Sequence, residues 1–340
     1  MTSTEDRLIA WLRRRARGAG GERIGDDAAF LPRGGPWAAT VDTQIEGVHF
    51  LPGTDPRLLA RRLLAVNLSD LASVGAVPRF ALLALAAPAG FDHQRLLASL
   101  VEACRRWRVE LVGGDLARSP ALTAVLTLVG SRPAGGRWVR RSAARSGDAL
   151  WLGGPVGLAA AGLELLRRGA RASGSRVRLP PGFPPGGQLA AAARRAVRRH
   201  LLPQPQLELG GWLGRQRRAA AIDVSDGLSL DLGRLCRESA VGATIEAGAL
   251  IDRPDLDRLA HQLGKEPLPL ALSGGEDYVL LFALPASVEP PARFACHRIG
   301  TIHRQPGLHL REEGRRLPLV ESGWDHLAGG SVRMQERKRR

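Results

Sequence analysis

Short apolar runs with strand character alternate with segments of helical period along most of the chain, and several of the runs stop at an aspartate beside a glycine. Such alternation confines the fold to packed layers of sheet and helix, the α/β class of the α+β type. WAATVD (Trp37 to Asp42) predicts a strand, Pro56 to Val74 a helix, Phe80 to Ala87 a strand and Asp92 to Trp107 a helix. VELV is expected to end at Gly113 and Gly114, with a further strand over Ala121 to Gly130. After the polar SRPAGGR the order resumes: strand in DALWLGG, helix over Val156 to Arg168, strand in AAIDVSD, helix over Leu228 to Glu238, strand in YVLLFAL. Two mixed α/β domains joined near Gly136 follow, residues 1–136 and 137–340, and 340 residues that are 44% hydrophobic suffice for a core in each. Gly169 to Gly187, rich in Gly, Arg, Ser and Pro, reads as an exposed, mobile loop, and Gln335 to Arg340 as a solvated tail.

Composition removes several functional classes. No stretch approaches the roughly 20 apolar residues of a membrane span, and MTSTEDRLIAWLRRRARG reads as a short amphipathic helix, so a soluble, cytoplasmic protein without a membrane partner is expected. Cys104, Cys236 and Cys296 are too few and too dispersed for a disulfide framework or a thiolate metal cluster. The formal charge of +16 first suggests a nucleic-acid partner. Against that, Lys265 and Lys338 are the only lysines, and the arginines are scattered rather than gathered around aromatic platforms.

The chemistry is carried by aspartates: Asp26 and Asp27 in IGDDAAF, Asp42 in TVDTQIEGVHF, Asp70 in NLSDLASVGAVP, Asp115 in LVGGDLARS, and Asp223 with Asp226 in AIDVSDGL. Carboxylates set in apolar strings are costly to bury unless a cation meets them, and a hard divalent cation prefers oxygen donors. Singly, each string has a plainer explanation: Gly25-Asp26-Asp27 as a turn, Ser225 or Asp226 as a helix cap, Gly75 and Pro78 as a helix stop. Helix termination does not account for Asp70, which shares a face with Asn67 near the negative end of a helix dipole. Asp223 and Ser225 lie two apart on a presumed strand, and Asp226-Gly227 opens a helix whose amides are placed to face phosphate. Gly113-Gly114-Asp115 repeats the pattern: glycine lets backbone approach a polyanion, and the Asp brings the metal.

GDDAA, VDTxxEGVHF, AVNLSDLASVGAxP, LVGGD, RSxxxxGD, AIDVSDGLSLDL, SGGEDYxLLF and GWDHL occur here in the order seen in thiamine-monophosphate kinases of the aminoimidazole-ribotide synthetase-like superfamily, which the chain resembles from about Ile24 to Leu327. The resemblance implies a homodimer whose N-terminal domains pair strands into a shared barrel, several Mg2+ ions in the cleft, ATP as co-substrate and thiamine monophosphate as acceptor. It makes Asp27, Thr40, Asp42, Asp70, Asp115, Asp223 and Asp226 metal ligands, together with the carbonyl of Val41. Gly114, Asp115, Arg141 and Ser225 would contact ATP, and His49, Glu276 and Trp324 the thiamine phosphate. Val41 stands where a Thr is expected and Trp324 where another aromatic is common, while Asp26 is expected beside the metal rather than on it.

On the residues alone, Arg141 as a surface cation, Trp324 as a packing residue and His49 as a core histidine compete with these roles. The implied acceptor is a phosphate oxygen already ionised near neutral pH, so no catalytic general base is expected. A selenophosphate synthetase of the same superfamily would need a reactive Cys and a Lys in its N-terminal segment, and no Cys precedes Cys104 and no Lys precedes Lys265.

Overall fold

In the computed structural model, the described residues are 3–15, 26–31, 35–327 and 330–331. The run Gln335 to Arg340 lies outside them. The first part of the chain contains α1 (Thr4–Arg15), β1 (Ala29–Leu31), β2 (Trp37–Ile45), α2 (Pro56–Ser73), β3 (Val77–Ala87), α3 (His93–Arg106), β4 (Glu110–Arg118) and β5 (Thr123–Ser131). Its sheet has the order β1-β2-β5-β3-β4, with β3 and β4 parallel across the α3 crossover. The second part contains β6 (Ala149–Leu152), α4 (Leu158–Arg167), β7 (Arg171–Ser173), β8 (Arg176–Arg178), α5 (Gly187–Leu201), α6 (Leu207–Leu213), β9 (Ala220–Asp223) and α7 (Leu228–Ser239). It continues with β10 (Gly242–Glu246), α8 (Ala247–Ile251), α9 (Pro254–Leu263), α10 (Pro267–Ser273), β11 (Leu280–Leu284), β12 (His297–His303), β13 (Gly307–Glu312) and β14 (Arg315–Pro318). The second sheet runs β14-β13-β10-β12-β6-β11-β9.

Helix α2 ties the two sheets together. Asp55 caps it by accepting from the Arg57 amide at 3.0 Å, Pro56 fixes its first turn, and Gly75 at φ +71° releases the chain behind it. It packs on β2, β5, α3 and α6 and also against β9, so it is apolar nearly all round and buries Leu59, Leu63, Leu64, Leu68 and Leu71. A helix in that position carries the end of the NLSD string into the seam between the sheets.

Two expectations are corrected. β4 does not end at Gly113 and Gly114 but runs through both to Arg118. A Cβ on Gly114 would stand 1.9 Å from the Leu83 carbonyl oxygen, so this glycine serves close strand approach beside a bulge rather than a turn. Residues 169–187 are not one loose loop: β7 and β8 form a hairpin, and Ala170, Ala172, Val177, Leu179 and Phe183 pack on a cluster shared with α4 and α5. Cys104 and Cys236 are buried and Cys296 half-buried, and burial pushes the Cys104 and Cys236 thiols up to about 11 and about 12. Among the described residues no helix is long and apolar enough to cross a membrane.

Candidate active site

Three chain segments meet at the seam. Asp27 precedes β1, Asp70 lies in the last turn of α2, and Asp223 ends β9; each offers one carboxylate oxygen, and these lie within 4.8 Å of one another. Thr40 on β2 donates to Asp70 Oδ2 at 2.5 Å, and the Ser73 hydroxyl lies 2.8 Å from Asp27 Oδ2. Asp223 is 2% exposed, and among the described residues its Oδ2 has no hydrogen-bond partner. Burial, then repulsion from Asp223, Asp27 and Asp42, raises Asp70 well above the usual carboxylate range; burial, then Asp27, does the same to Asp223. An all-oxygen set that includes a buried carboxylate with an unsatisfied oxygen fits a hard divalent cation. Arg141 pairs with Asp27, while Asp26 accepts the Arg141 backbone amide at 2.8 Å. Of the adjacent pair, Asp27 therefore faces the cluster and Asp26 anchors the chain behind it.

A cavity of about 240 Å³ opens beside the cluster, lined by Asp42, His49, Ser225, Asp226, Glu276 and Trp324 among others. Burial above all pushes Asp42 up to about 6. His49 Nδ1 accepts the Ile45 amide at 3.1 Å, which leaves the ring proton to Nε2, and burial holds the imidazole down at about 4. Glu276 sits at φ +65° and Tyr278 at φ +49°, left-handed conformations that side chains other than glycine adopt rarely and at functional sites. The Glu276 amide donates to the Ser225 carbonyl at 2.6 Å and the Trp324 amide to the Asp226 carbonyl at 2.9 Å, so this loop and the GWDHL segment are both clipped onto the end of β9.

The structure brings Asp27, Thr40, Asp70 and Asp223 together, and sets Asp42, His49, Ser225, Asp226, Glu276 and Trp324 around the adjoining cavity. Val41 turns its side chain to the opposite face of β2, 62% exposed. Gly114 and Asp115 do not join them within one chain. Asp42 pairs with Leu126, Leu126 with Leu83 and Leu83 with Gly114, three strand-to-strand steps or about 14 Å. Both residues are exposed on β4, the edge of the sheet.

The turn that leads into α7 is held by a residue of the helix itself. The amides of Ser225, Asp226 and Gly227 all donate to Asp231 Oδ2, at 3.1, 3.1 and 3.2 Å, so the turn between β9 and α7 is folded back onto the first turn of the helix. β9 stops at Asp223, so Ser225 is a loop residue and does not share a strand face with it. Asp226 is held by Arg234 at 2.5 Å.

Sequence reasoning passed over His326. Its ring stacks on His49 with centroids 5.0 Å apart, and its Nδ1 accepts the Trp324 indole N–H at 2.9 Å. The residue was already inside the GWDHL string, two positions from Trp324. Gln44, Arg62 and Tyr278 were likewise passed over, because an arginine in a long helix reads as a solvated face.

Residues 25–131 match the family described as AIR synthase related protein, N-terminal domain. The thiamine-monophosphate kinase of Salmonella typhimurium is 36% identical over 321 residues, covering 90% of this chain and 91% of the relative. That of Escherichia coli K12 is 36% identical over 318 residues, with 90% and 91% covered. Among solved structures, the one described as AaThiL complexed with AMPPCP and TMP superposes with a TM-score of 0.79 at 28% identity, covering 92% of this chain and 94% of that one. Thiamine monophosphate kinase from Aquifex aeolicus gives 0.76 at 28% identity, covering 92% and 98%. With identity at that level across almost the whole of both chains, and with the carboxylate cluster and its cavity in one seam, the chain belongs to the thiamine-monophosphate kinase family.

Proposed function

We propose that the protein transfers the γ-phosphoryl group of ATP to the phosphate of thiamine monophosphate, giving thiamine diphosphate and ADP. The observation that carries this reading is the placement, in a chain of this family, of the Asp27, Asp70 and Asp223 cluster, half-buried to buried, against a cavity bearing His49, Glu276 and Trp324. In the transfer, an ionised oxygen of the thiamine phosphate forms the new bond to the γ-phosphorus as the bond to the β,γ-bridging oxygen breaks, and ADP leaves with that electron pair. The acceptor carries its charge beforehand, so no side chain has to remove a proton.

Repulsion is the obstacle: two unit charges ~4 Å apart repel by ~4 kcal/mol at an effective dielectric near 20. Asp27, Asp42, Asp70 and Asp223, with Thr40, are the residues that would hold magnesium, whose chemistry when bound is to neutralise the phosphates and draw them in line. Arg141, beside Asp27, adds positive charge on the phosphate side. Trp324 grips the organic part of the acceptor, the indole over the cationic ring contributing about 0.5–2 kcal/mol, and His49 donates to its phosphate.

The same reading makes the protein a homodimer. β4 is an edge strand that leaves Val112 at 55% and Leu116 at 59% exposed, which supports strand pairing between two copies. Light scattering at micromolar concentration should give twice the chain mass; a monomer removes the shared barrel.

The deciding assay incubates the protein with ATP and thiamine monophosphate, with and without magnesium, and looks for thiamine diphosphate. None at millimolar magnesium would sink the assignment. A pH test addresses the metal. Asp70, Asp223 and Asp42, the last at about 6, are held above the unfolded value of 3.8, so in the folded protein they keep protons that the unfolded chain has lost. Their contribution to stability is full below the unfolded value and falls as pH rises through the raised ones. Magnesium needs the same oxygens bare, so its rise in melting temperature should be larger near pH ~8 than near pH ~6. Equal shifts at both would take these carboxylates out of the metal site.

A further inference from the structure

Arg62 lies in α2, 1% exposed, among the buried apolar residues Leu58, Leu59, Leu63 and Val66 of the same helix, while Arg61 beside it faces outward. A guanidinium that deep has to satisfy its donors, and Arg62 does so on three separate elements. Its Nε donates to Gln44 Oε1 on β2 at 2.9 Å, Nη1 to the His200 carbonyl at the end of α5, and Nη2 to Glu276 Oε2 in the loop before β11. Its guanidinium carbon also lies 5.8 Å from the centroid of the Tyr278 ring.

Two of the three acceptors are side chains that line the cavity. The bond to Gln44 has a further consequence: by occupying Oε1 it fixes which way the amide points, and Nε2 then faces Asp42 Oδ1 at 3.4 Å. One buried cation thus holds a carboxylate on each side of the cavity, Glu276 directly and Asp42 through Gln44. The left-handed backbone at Glu276 and Tyr278 gives the loop reason to relax once that hold is removed.

We propose that Arg62 is a positioning residue for the phosphoryl transfer, setting Glu276 for the organic acceptor by direct contact and Asp42 for the metal by way of Gln44. The proposal rests on the function given above, and the two arms have separate readouts. Gln44→Met removes only the Asp42 arm. It should raise the magnesium concentration for half-maximal rate about fivefold to tenfold, and likewise the magnesium midpoint in a thermal-shift titration without substrates, with the KM for thiamine monophosphate within about twofold of the parent. Arg62→Met removes both arms and should raise the magnesium midpoint and, by about tenfold or more, the KM. Arg62→Lys keeps a cation for Glu276 without the fork that reaches Gln44, so it should recover most of the KM and leave the magnesium defect.

Wild-type turnover in the same assay tests the enzymatic assignment separately, and the thermal-shift arms with magnesium and with thiamine monophosphate read the positioning whether or not turnover is seen. Should Arg62→Met fail to fold, Gln44→Met and Arg62→Lys decide the matter. The proposal is overturned if Gln44→Met shifts the KM or thiamine monophosphate midpoint while sparing the magnesium midpoint, or if folded Arg62 variants bind both within about twofold of wild type.

Discussion

Asp223→Asn should lower turnover by about 10³-fold or more at millimolar magnesium without unfolding the protein. The carboxamide is nearly the same size but carries no charge, so it removes one of the oxygens that neutralise a divalent cation while filling the same space at the end of β9. Stability distinguishes this from damage to the fold. Asp223 is buried beside Asp27, which raises its carboxyl well above the usual range, so in magnesium-free buffer the variant should melt at or above the parent temperature because a neutral carboxamide escapes the cost of keeping a buried carboxylate protonated or charged. Asp70→Asn should behave alike in turnover, with its link to the Thr40 hydroxyl keeping the side chain in place. Full activity in either variant would remove these residues from the chemistry.

Gly210→Val in α6 should cost about 3 kcal/mol of stability, read as a drop in urea midpoint at unchanged slope. A Cβ at Gly210 would stand 2.0 Å from the Ala72 carbonyl oxygen, a backbone atom of α2 with nowhere cheap to move. The helix pushed aside is the one bearing Asp70 and Ser73, so residual folded protein should also need more magnesium. The neighbouring residue is the control. A Cβ at Gly211 would meet nothing within 4 Å, so Gly211→Ala should be neutral or gain about 0.5–1 kcal/mol from helix propensity. If both substitutions prove equally mild, the α2–α6 contact is not what seats Asp70.

Much of this was legible in the residues because burial and pattern coincide. β2, β3, α3 and β5 are long and periodic and α2 is a long run buried nearly all round, and the observed bounds of all five lie within a few residues of the expected ones. The aspartate strings stood out for a related reason, since a carboxylate in an apolar context needs an explanation wherever it falls. What the pattern does not encode is distance: Asp27, Asp70 and Asp223 come from widely separated stretches and meet only when α2 is wedged between the sheets. The glycines in LVGGD were misleading because a turn and a tight strand contact make the same demand for a missing Cβ, which at Gly114 is met by Leu83. The strands of the late sheet, such as β10 and β12, are short, and Gly300 admits the Thr244 carbonyl where a side chain would have signalled the pairing. Asp231 was visible four residues beyond Gly227, yet only the fold shows its carboxylate turned back onto three amides.

That inward-turned carboxylate bears on the stiffness of the cavity wall. One oxygen of Asp231 gathers the amides of Ser225, Asp226 and Gly227, while the carbonyls of Ser225 and Asp226 hold the amides of Glu276 and Trp324. The turn is thus gripped on both sides of its backbone, and the rim that would meet an acceptor is set by the fold before any ligand arrives.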